Sequence, residues 1–280
     1  MITATHTDID TFVNTELPPL PGSTMRVTAM LQDVNASPRK IADSIGIDPA
    51  LTAKILQSAN SPIYAMRRSI MSLPNAVMAM GNQAIYGIVI SFGTLDVFAN
   101  EIRYSTIGRS IWEHSLAVGI AAREIGTMLN FRGTEELFTC GLLHDIGRLL
   151  FLRHDVKTYS QIEGEFLESE VLKFEKEVFG FTHDQVGGLA ASRWGLPDQI
   201  CHNIANHHNP SQAAMFMLTA RVINIADEVV IAGTSRQRGI DPPDLSMDES
   251  VIALELSVEQ LEQVWENTQA NLGQMMQVFR

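Results

Sequence analysis

The sequence predicts an all-α protein, and three observations carry that expectation. Apolar residues recur at intervals of three and four almost throughout, few alternating β-branched runs persist, and Ser-Pro or Asp-Pro pairs stand where helices should begin. With 280 residues, 45% of them hydrophobic, the chain can bury a sizeable interior in one or two domains. A net charge of −12 leaves no broad electrostatic footprint for nucleic acid or an anionic membrane. The first residues lack the basic and apolar regions of a secretory signal, and the apolar stretch from Ile85 to Val97 is too short to span a bilayer. A cytoplasmic protein is therefore expected, with no membrane and no nucleic-acid partner. Cys140 and Cys201 sit in apolar contexts without Cys-x-x-Cys spacing and read as core thiols.

Residues 1–16 are polar and read as a flexible or loosely docked tail. Leu17-Pro-Pro-Leu-Pro-Gly22 cannot be helical. Ser37-Pro38 then reads as an N-cap with a first-turn proline, opening a helix to about Ile45, and Asp48-Pro49 opens the next, which Asn60-Ser-Pro62 stops. The two together, Ile41 to Lys54, have the outline of a helix-turn-helix. A DNA reader would need cations on its second helix, which offers only Lys54 and Gln57, with Arg39, Lys40, Arg67 and Arg68 nearby in sequence. Scaffold is the expectation for this hairpin and DNA binding the alternative.

Met71 to Phe98 is apolar with interspersed glycines and reads as closely packed buried helices. Polar residues around Asn100 to Thr106 suggest a boundary between an N-terminal helical lobe, 17–105, and a second lobe, 106–232. The second lobe opens with an inward stripe of Ile107, Ile111, His114, Val118, Ala121 and Ile125. A lone histidine on such a stripe is ordinarily a satisfied core residue. Its weight changes with Cys140-Gly-Leu-Leu-His144-Asp145-Ile-Gly-Arg148, where an adjacent His and Asp interrupt an apolar helix-like run. Leu137, Cys140, His144 and Arg148 are spaced to share one helix face, and a buried carboxylate beside them needs a cation, a donor network or a metal.

Thr182-His183-Asp-Gln185 reads as a capping box, placing His183 in a first helical turn. Gly187, Ala190 and Ala191 leave a low face for a neighbouring helix. Leu196-Pro197 starts a helix ending in His207-His208 before Asn209-Pro210, and Asp227 lies in the apolar run Val222 to Val230. Imidazoles and carboxylates on the internal faces of consecutive helices are how helical bundles build metal centres.

The order His114, His144-Asp145, Asp227 resembles the HD superfamily of metal-dependent phosphohydrolases. His183 with His207-His208 resembles the further ligands of its two-metal HD-GYP branch. Leu17 to Pro21, Asp48-Pro-Ala-Leu-Thr52, Ala59-Asn-Ser-Pro62, Leu142 to Gly147, His183 through Trp194-Gly-Leu-Pro197 and His207 to Pro210 together resemble the HDOD (HD-related output domain) family of bacterial signalling proteins. The resemblance spans roughly Thr15 to Ala232. It implies an N-terminal helical lobe, an HD-like lobe, and a regulatory output module acting through a signalling-protein partner. It also implies a ligand set of His114, His144, Asp145, His183, His207, His208 and Asp227 for one or two divalent transition ions, whether iron, manganese, cobalt or zinc.

The alternative the resemblance carries is a phosphohydrolase acting on a nucleotide or other phosphoester, with Asp145 bridging the ions and Arg148 assisting at the phosphate. Two departures count against cyclic-dinucleotide hydrolysis. No Gly-Tyr-Pro follows His207-His208, and Arg148 stands where the two-metal enzymes carry Lys.

Beyond Ala232 the sequence reads as an acidic region, 233–280. Gly233 to Pro243 is expected as a polar loop. Ser257-Val-Glu-Gln260 caps a terminal amphipathic helix with Leu261, Trp265, Leu272, Met276 and Phe279 on one face. Core packing is the expectation for that face, and a partner or dimer interface the alternative. The oligomeric state is left open.

Overall fold

In the computed structural model, residues 8–64, 66, 68–162 and 168–279 are described. Helices and short 3-10 turns account for all the regular structure among them, with no strand, so the all-α expectation holds. The helices are α1 (Ile9–Glu16), α2 (Gly22–Gln32), α3 (Pro38–Ile45), α4 (Pro49–Ala59), α5 (Leu73–Val97), α6 (Ala99–Tyr104), α7 (Thr106–Met128) and α8 (Thr134–Leu143). They continue with α9 (Ile146–His154), α10 (Val156–Tyr159), α11 (Glu168–Val178), α12 (His183–Arg193), α13 (Asp198–Asn206), α14 (Met217–Arg238), α15 (Glu249–Ala253) and α16 (Val258–Val278).

The local signals act as read. Ser37 accepts from the backbone of Lys40, and Asp48 from Ala50 and Leu51, so each hairpin helix begins on a side-chain cap followed by proline. Within this hairpin Lys54 pairs with Asp96 at 3.1 Å, and the Gln57 amide donates to the Gln277 carbonyl at 3.4 Å. Both side chains hold the hairpin to neighbouring elements. Arg67 lies outside the described residues.

α7 is the axis of the site-bearing half. It crosses α8 where Gly119 faces Gly141, so closely that a Cβ on either glycine would stand 2.9 Å from the other helix's backbone. α14 and α16 pack on α7, and α12 and α13 form a hairpin against α9. The buried apolar residues form one contiguous core from Phe12 to Phe279. The segment expected as a boundary holds α6 and the Ser105 cap of α7, and α5 packs across it on α8.

Several expectations are corrected. Residues 9–16 of the expected tail form α1, whose Phe12 and Val13 are buried; residues 1–7 lie outside the described residues. Phe12 packs on the rings of Phe151, Phe181 and His154, and Asp10 pairs with Arg193. Tertiary docking thus orders a segment with too few apolar residues to declare itself.

The apolar stretch counted from Ile85 belongs to the 25-residue α5, kinked at Gly81 (φ 80°). By length and composition alone this helix could cross a membrane, yet 61% of its apolar window is buried inside the fold. The loop expected from Gly233 begins only at Gly239 (φ 73°). Gly233 is an α14 residue on which the Trp265 ring packs, where any Cβ would overlap the indole. The α16 stripe is likewise internal. Leu261 and Phe279 are buried, Trp265, Leu272 and Met276 pack against the core, and Phe279 contacts the rings of Phe92 and Trp112.

Candidate metal centre

The run around His144-Asp145 is not one helix. α8 ends at Leu143 and α9 starts at Ile146, and between them Asp145 leaves helical geometry (φ −100°, ψ 14°), so the expected shared face from Leu137 to Arg148 is interrupted. The break re-aims α9 so that Gly147 meets the first turn of α12, where a side chain would overlap the His183 carbonyl. Asp145 is thereby carried to His183. The close crossing of α7 and α8 brings His114 to His144, and α13 delivers His207 and His208 just past its last turn.

All seven expected residues converge. His114 Nε2 lies 2.9 Å from Asp227 Oδ1 and 4.0 Å from Asp145 Oδ2, while His144 Nε2 lies 3.5 Å from Asp145 Oδ2 and 3.9 Å from Asp227 Oδ1. His183 Nε2 is 3.2 Å from Asp145 Oδ1 and 2.9 Å from His208 Nε2. The His207 ring lies against those of His144, His183 and His208. Arg148 Nε is 3.2 Å from Asp145 Oδ1. The side chains of His114 and Arg148 are 22% and 17% exposed, whereas those of His144, Asp145, His183 and Asp227 are at most 4% exposed. Solvent therefore reaches the edge of the centre at His114 and Arg148, and at the half-buried His208.

Each inner imidazole is oriented by its outer nitrogen. His144 Nδ1 donates to the Gly141 carbonyl at 2.6 Å and His207 Nδ1 to the Ile204 carbonyl at 2.7 Å. A carbonyl only accepts, so the proton is on Nδ1 and the Nε2 lone pair faces the interior. His183 Nδ1 lies 2.8 Å from Glu175 Oε2. Glu175 is fully buried and escapes sequence reasoning because Lys173-Phe-Glu-Lys-Glu177 reads as a solvated charged face. Its one signal is helical register, midway between Val171 and Phe179 at steps of four.

Burial pushes His144, His207 and His208 down, His207 to about 4, so these imidazoles are neutral near pH 7. At His183 burial also works against charge, but the Glu175 and Asp145 carboxylates outweigh it and hold the group well above the ordinary histidine range. At His114 burial again opposes charge, and the Asp227 carboxylate outweighs it and raises the group. Burial would raise Asp145, yet the Arg148 guanidinium and the facing imidazoles hold it well below the usual carboxylate range.

A metal fits this arrangement on a physical test. His144 Nε2, His207 Nε2, Asp145 Oδ2 and Asp227 Oδ1 are buried with no well-directed hydrogen bond among the described residues. Four such atoms facing one another are costly unless something binds between them. Three donor sets have their ligating atoms within 4.8 Å of one another: His114, His144 and Asp227; His144, Asp145 and His207; and His183, His207 and His208. Mixed imidazole and carboxylate donors suit a divalent transition ion.

Comparison with known proteins bears on the fold and the family. A protein from Shewanella amazonensis SB2B, described as a "Putative phosphohydrolase", superposes with a TM-score of 0.71 at 22% identity, covering 97% of this chain and 96% of that one. A "Putative signal transduction protein" from Marinobacter aquaeolei VT8 gives 0.69 at 19% identity, covering 96% of this chain and 60% of that one. At these identities the likeness shows the fold. A curated protein of Treponema pallidum (strain Nichols), named only as uncharacterized, is 21% identical over 203 residues; the match takes in 69% of this chain and 38% of that protein's length. The HDOD domain family profile matches residues 17–210, which hold every candidate ligand except Asp227. The chain belongs to the HDOD family.

Proposed function

We propose that this chain is a signal-transduction output module of the HDOD type whose HD-like half holds one or two divalent transition ions, iron, manganese, cobalt or zinc. It acts through a protein partner. The observation that carries the metal reading is the meeting, at one buried point, of His144 Nε2, His207 Nε2, Asp145 Oδ2 and Asp227 Oδ1, none with a well-directed hydrogen bond among the described residues. His144, Asp145, His207 and Asp227 would hold the metal, together with His114, His183 and His208. A regulatory centre of this kind ties the half-site on α7, α8 and α14 to the half-site on α9, α12 and α13, since binding free energy is also folding free energy.

A second reading, phosphoester hydrolysis, is favoured by one feature. Arg148 stands at the edge of the centre, 17% exposed and against Asp145. When bound, the metal would supply Lewis acidity toward a phosphoryl oxygen and activate water. Arg148 would fork onto the phosphate, and Asp145, kept anionic, would hold the guanidinium in place. Nucleotides and simple phosphoesters are the substrate class for this reading.

Metal analysis of protein purified without chelator, followed by a phosphoester panel with and without added manganese, separates the two. Bound transition metal without turnover is the expected result. Turnover lost in Arg148→Ala would install the hydrolase reading, and metal-free protein that takes up no ion would remove the metal centre and the hydrolase with it, leaving an output module without metal.

A further inference from the structure

Three inner imidazoles present Nε2 to the centre, but they are held in two different ways. His144 and His207 follow the last turns of α8 and α13, and each donates Nδ1–H to the carbonyl three residues earlier, Gly141 and Ile204. His183 is the first residue of α12 and has no preceding turn to offer a carbonyl. Its acceptor must come from another element. α11 supplies it: Glu175, wholly buried, accepts from His183 Nδ1 at 2.8 and 3.0 Å and from the His183 backbone N–H at 2.7 Å. The Tyr159 hydroxyl donates to Oε1 of the same carboxylate at 2.6 Å.

We propose that Glu175 is a positioning residue of the metal centre, fixing the ring of His183 with a proton kept on Nδ1 so that Nε2, which gives up its proton when an ion binds, is presented as a ligand, with Tyr159 fixing Glu175 in turn. The inference rests on the metal reading above and adds a residue outside the converging set. A carboxylate orients an imidazole as a carbonyl does but also makes it a stronger donor, so the His183 arm binds metal more strongly than the carbonyl-held arms. The simpler role to be beaten is structural. Glu175 also satisfies one of the backbone donors at the start of α12, which a mere cap would do.

The test uses the full chain stripped of metal and titrated with cobalt(II), read by its visible absorption and by thermal melting before cobalt is added. Wild type should bind cobalt. Glu175→Gln, which keeps size and one acceptor, should bind it about 10- to 100-fold more weakly with a shifted absorption band. In a His183→Ala background the same substitution should cost no further affinity, because the carboxylate acts through that ring.

Equal affinity and spectrum in wild type and Glu175→Gln would overturn the positioning role and leave the metal centre standing. So would an equal loss with and without His183, which would make Glu175 a structural cap. Wild type that binds no cobalt would instead overturn the metal reading and this inference with it. Should Glu175→Gln not fold, Tyr159→Phe carries the test: a several-fold weaker affinity is expected, and an unchanged one overturns the proposal.

Discussion

The two halves of this molecule bury polar side chains to similar depth and settle them in opposite ways. In the N-terminal half, Thr28, Ser58 and Ser91 turn their hydroxyls back onto the carbonyls of Thr24, Lys54 and Gly87, within their own helices. Among the described residues Ser44, Ser61 and Thr94 lack partners, but each is a single neutral hydroxyl, and the one carboxylate oxygen left open in this half, Glu101 Oε2, belongs to a group whose Oε1 accepts from Arg153 at 3.0 Å. In the site-bearing half the buried groups are imidazoles and carboxylates: His144, His183 and His207 are hydrogen-bonded through Nδ1, while His144 Nε2, His207 Nε2, Asp145 Oδ2 and Asp227 Oδ1 face inward with no well-directed hydrogen bond among the described residues. Depth of burial does not distinguish scaffold from site here. The direction in which hydrogen bonds are left open does, because an ionisable group with an unmet atom in the interior costs far more than a neutral hydroxyl.

The contrast breaks most visibly at Asp145, which touches His183, His144 and Arg148. Asp145→Ala should abolish metal uptake and lower the stability of the loaded protein by about 3 to 4 kcal/mol, the stabilisation a ligand confers at roughly 100 to 1,000 times its Kd. Urea melts with and without chelator check this. A loss of the same size in chelator would mean that no metal contributes.

Next in size is Gly147→Ala, whose methyl group would overlap the His183 carbonyl. Overpacking of this kind costs about 1 to 3 kcal/mol. Here it should also part Asp145 from His183 and weaken metal binding, whereas Gly22→Ala, with open space around its Cβ position, should leave binding unchanged. Equal metal affinity in the two variants would contradict the role given to the α9–α12 contact.

A smaller effect is set by pH. His207 titrates near 4 in the fold against 6.5 ordinarily, and burial lowers His208 as well. Between those limits the unfolded chain binds protons that the folded one refuses, so stability of the metal-free protein falls as pH drops from about 6.5 toward 4. The slope is at most about 1.4 kcal/mol per unit for each histidine. His114 and His183 are raised and are protonated in both states over most of that window, so they add little slope there. Denaturation midpoints at pH 7 and pH 5 in chelator should show the loss, and His207→Gln should reduce it.

The smallest effect belongs to the N-terminal half. Lys54→Ala removes a pair with Asp96 whose partners are 28% and 54% exposed, and should change stability by less than about 0.5 kcal/mol. Neither it nor Gln57→Ala should alter duplex DNA retention in a filter assay. Sequence-specific binding that these changes abolish would give the hairpin the recognition role its side-chain contacts argue against.

What could be read from the sequence was what is encoded locally. Ser37-Pro38, Asp48-Pro49 and Ser257 to Gln260 announce their helices because cap chemistry acts over three or four residues. The candidate site residues were legible as polar interruptions of apolar faces. The break at His144-Asp145 was not, since apolar periodicity runs on through it. Glu175 was hidden in a run of charges, α1 owes its order to a distant aromatic cluster, and Gly233 resembles a helix stop until Trp265 is seen lying on it. Each of these depends on a partner remote in sequence.

The central claim, that the seven side chains enclose a metal, is tested most directly by diffraction from crystals grown without chelator, with data collected on both sides of a transition-metal absorption edge. The account requires an anomalous peak among His144, Asp145, His207 and Asp227, with ligand distances of about 2.0 to 2.3 Å. A second peak beside His183 and His208 would set the count at two. An anomalous map that is flat at this point in crystals soaked with manganese, cobalt and zinc, with the imidazoles hydrogen-bonded to one another through water, would contradict it.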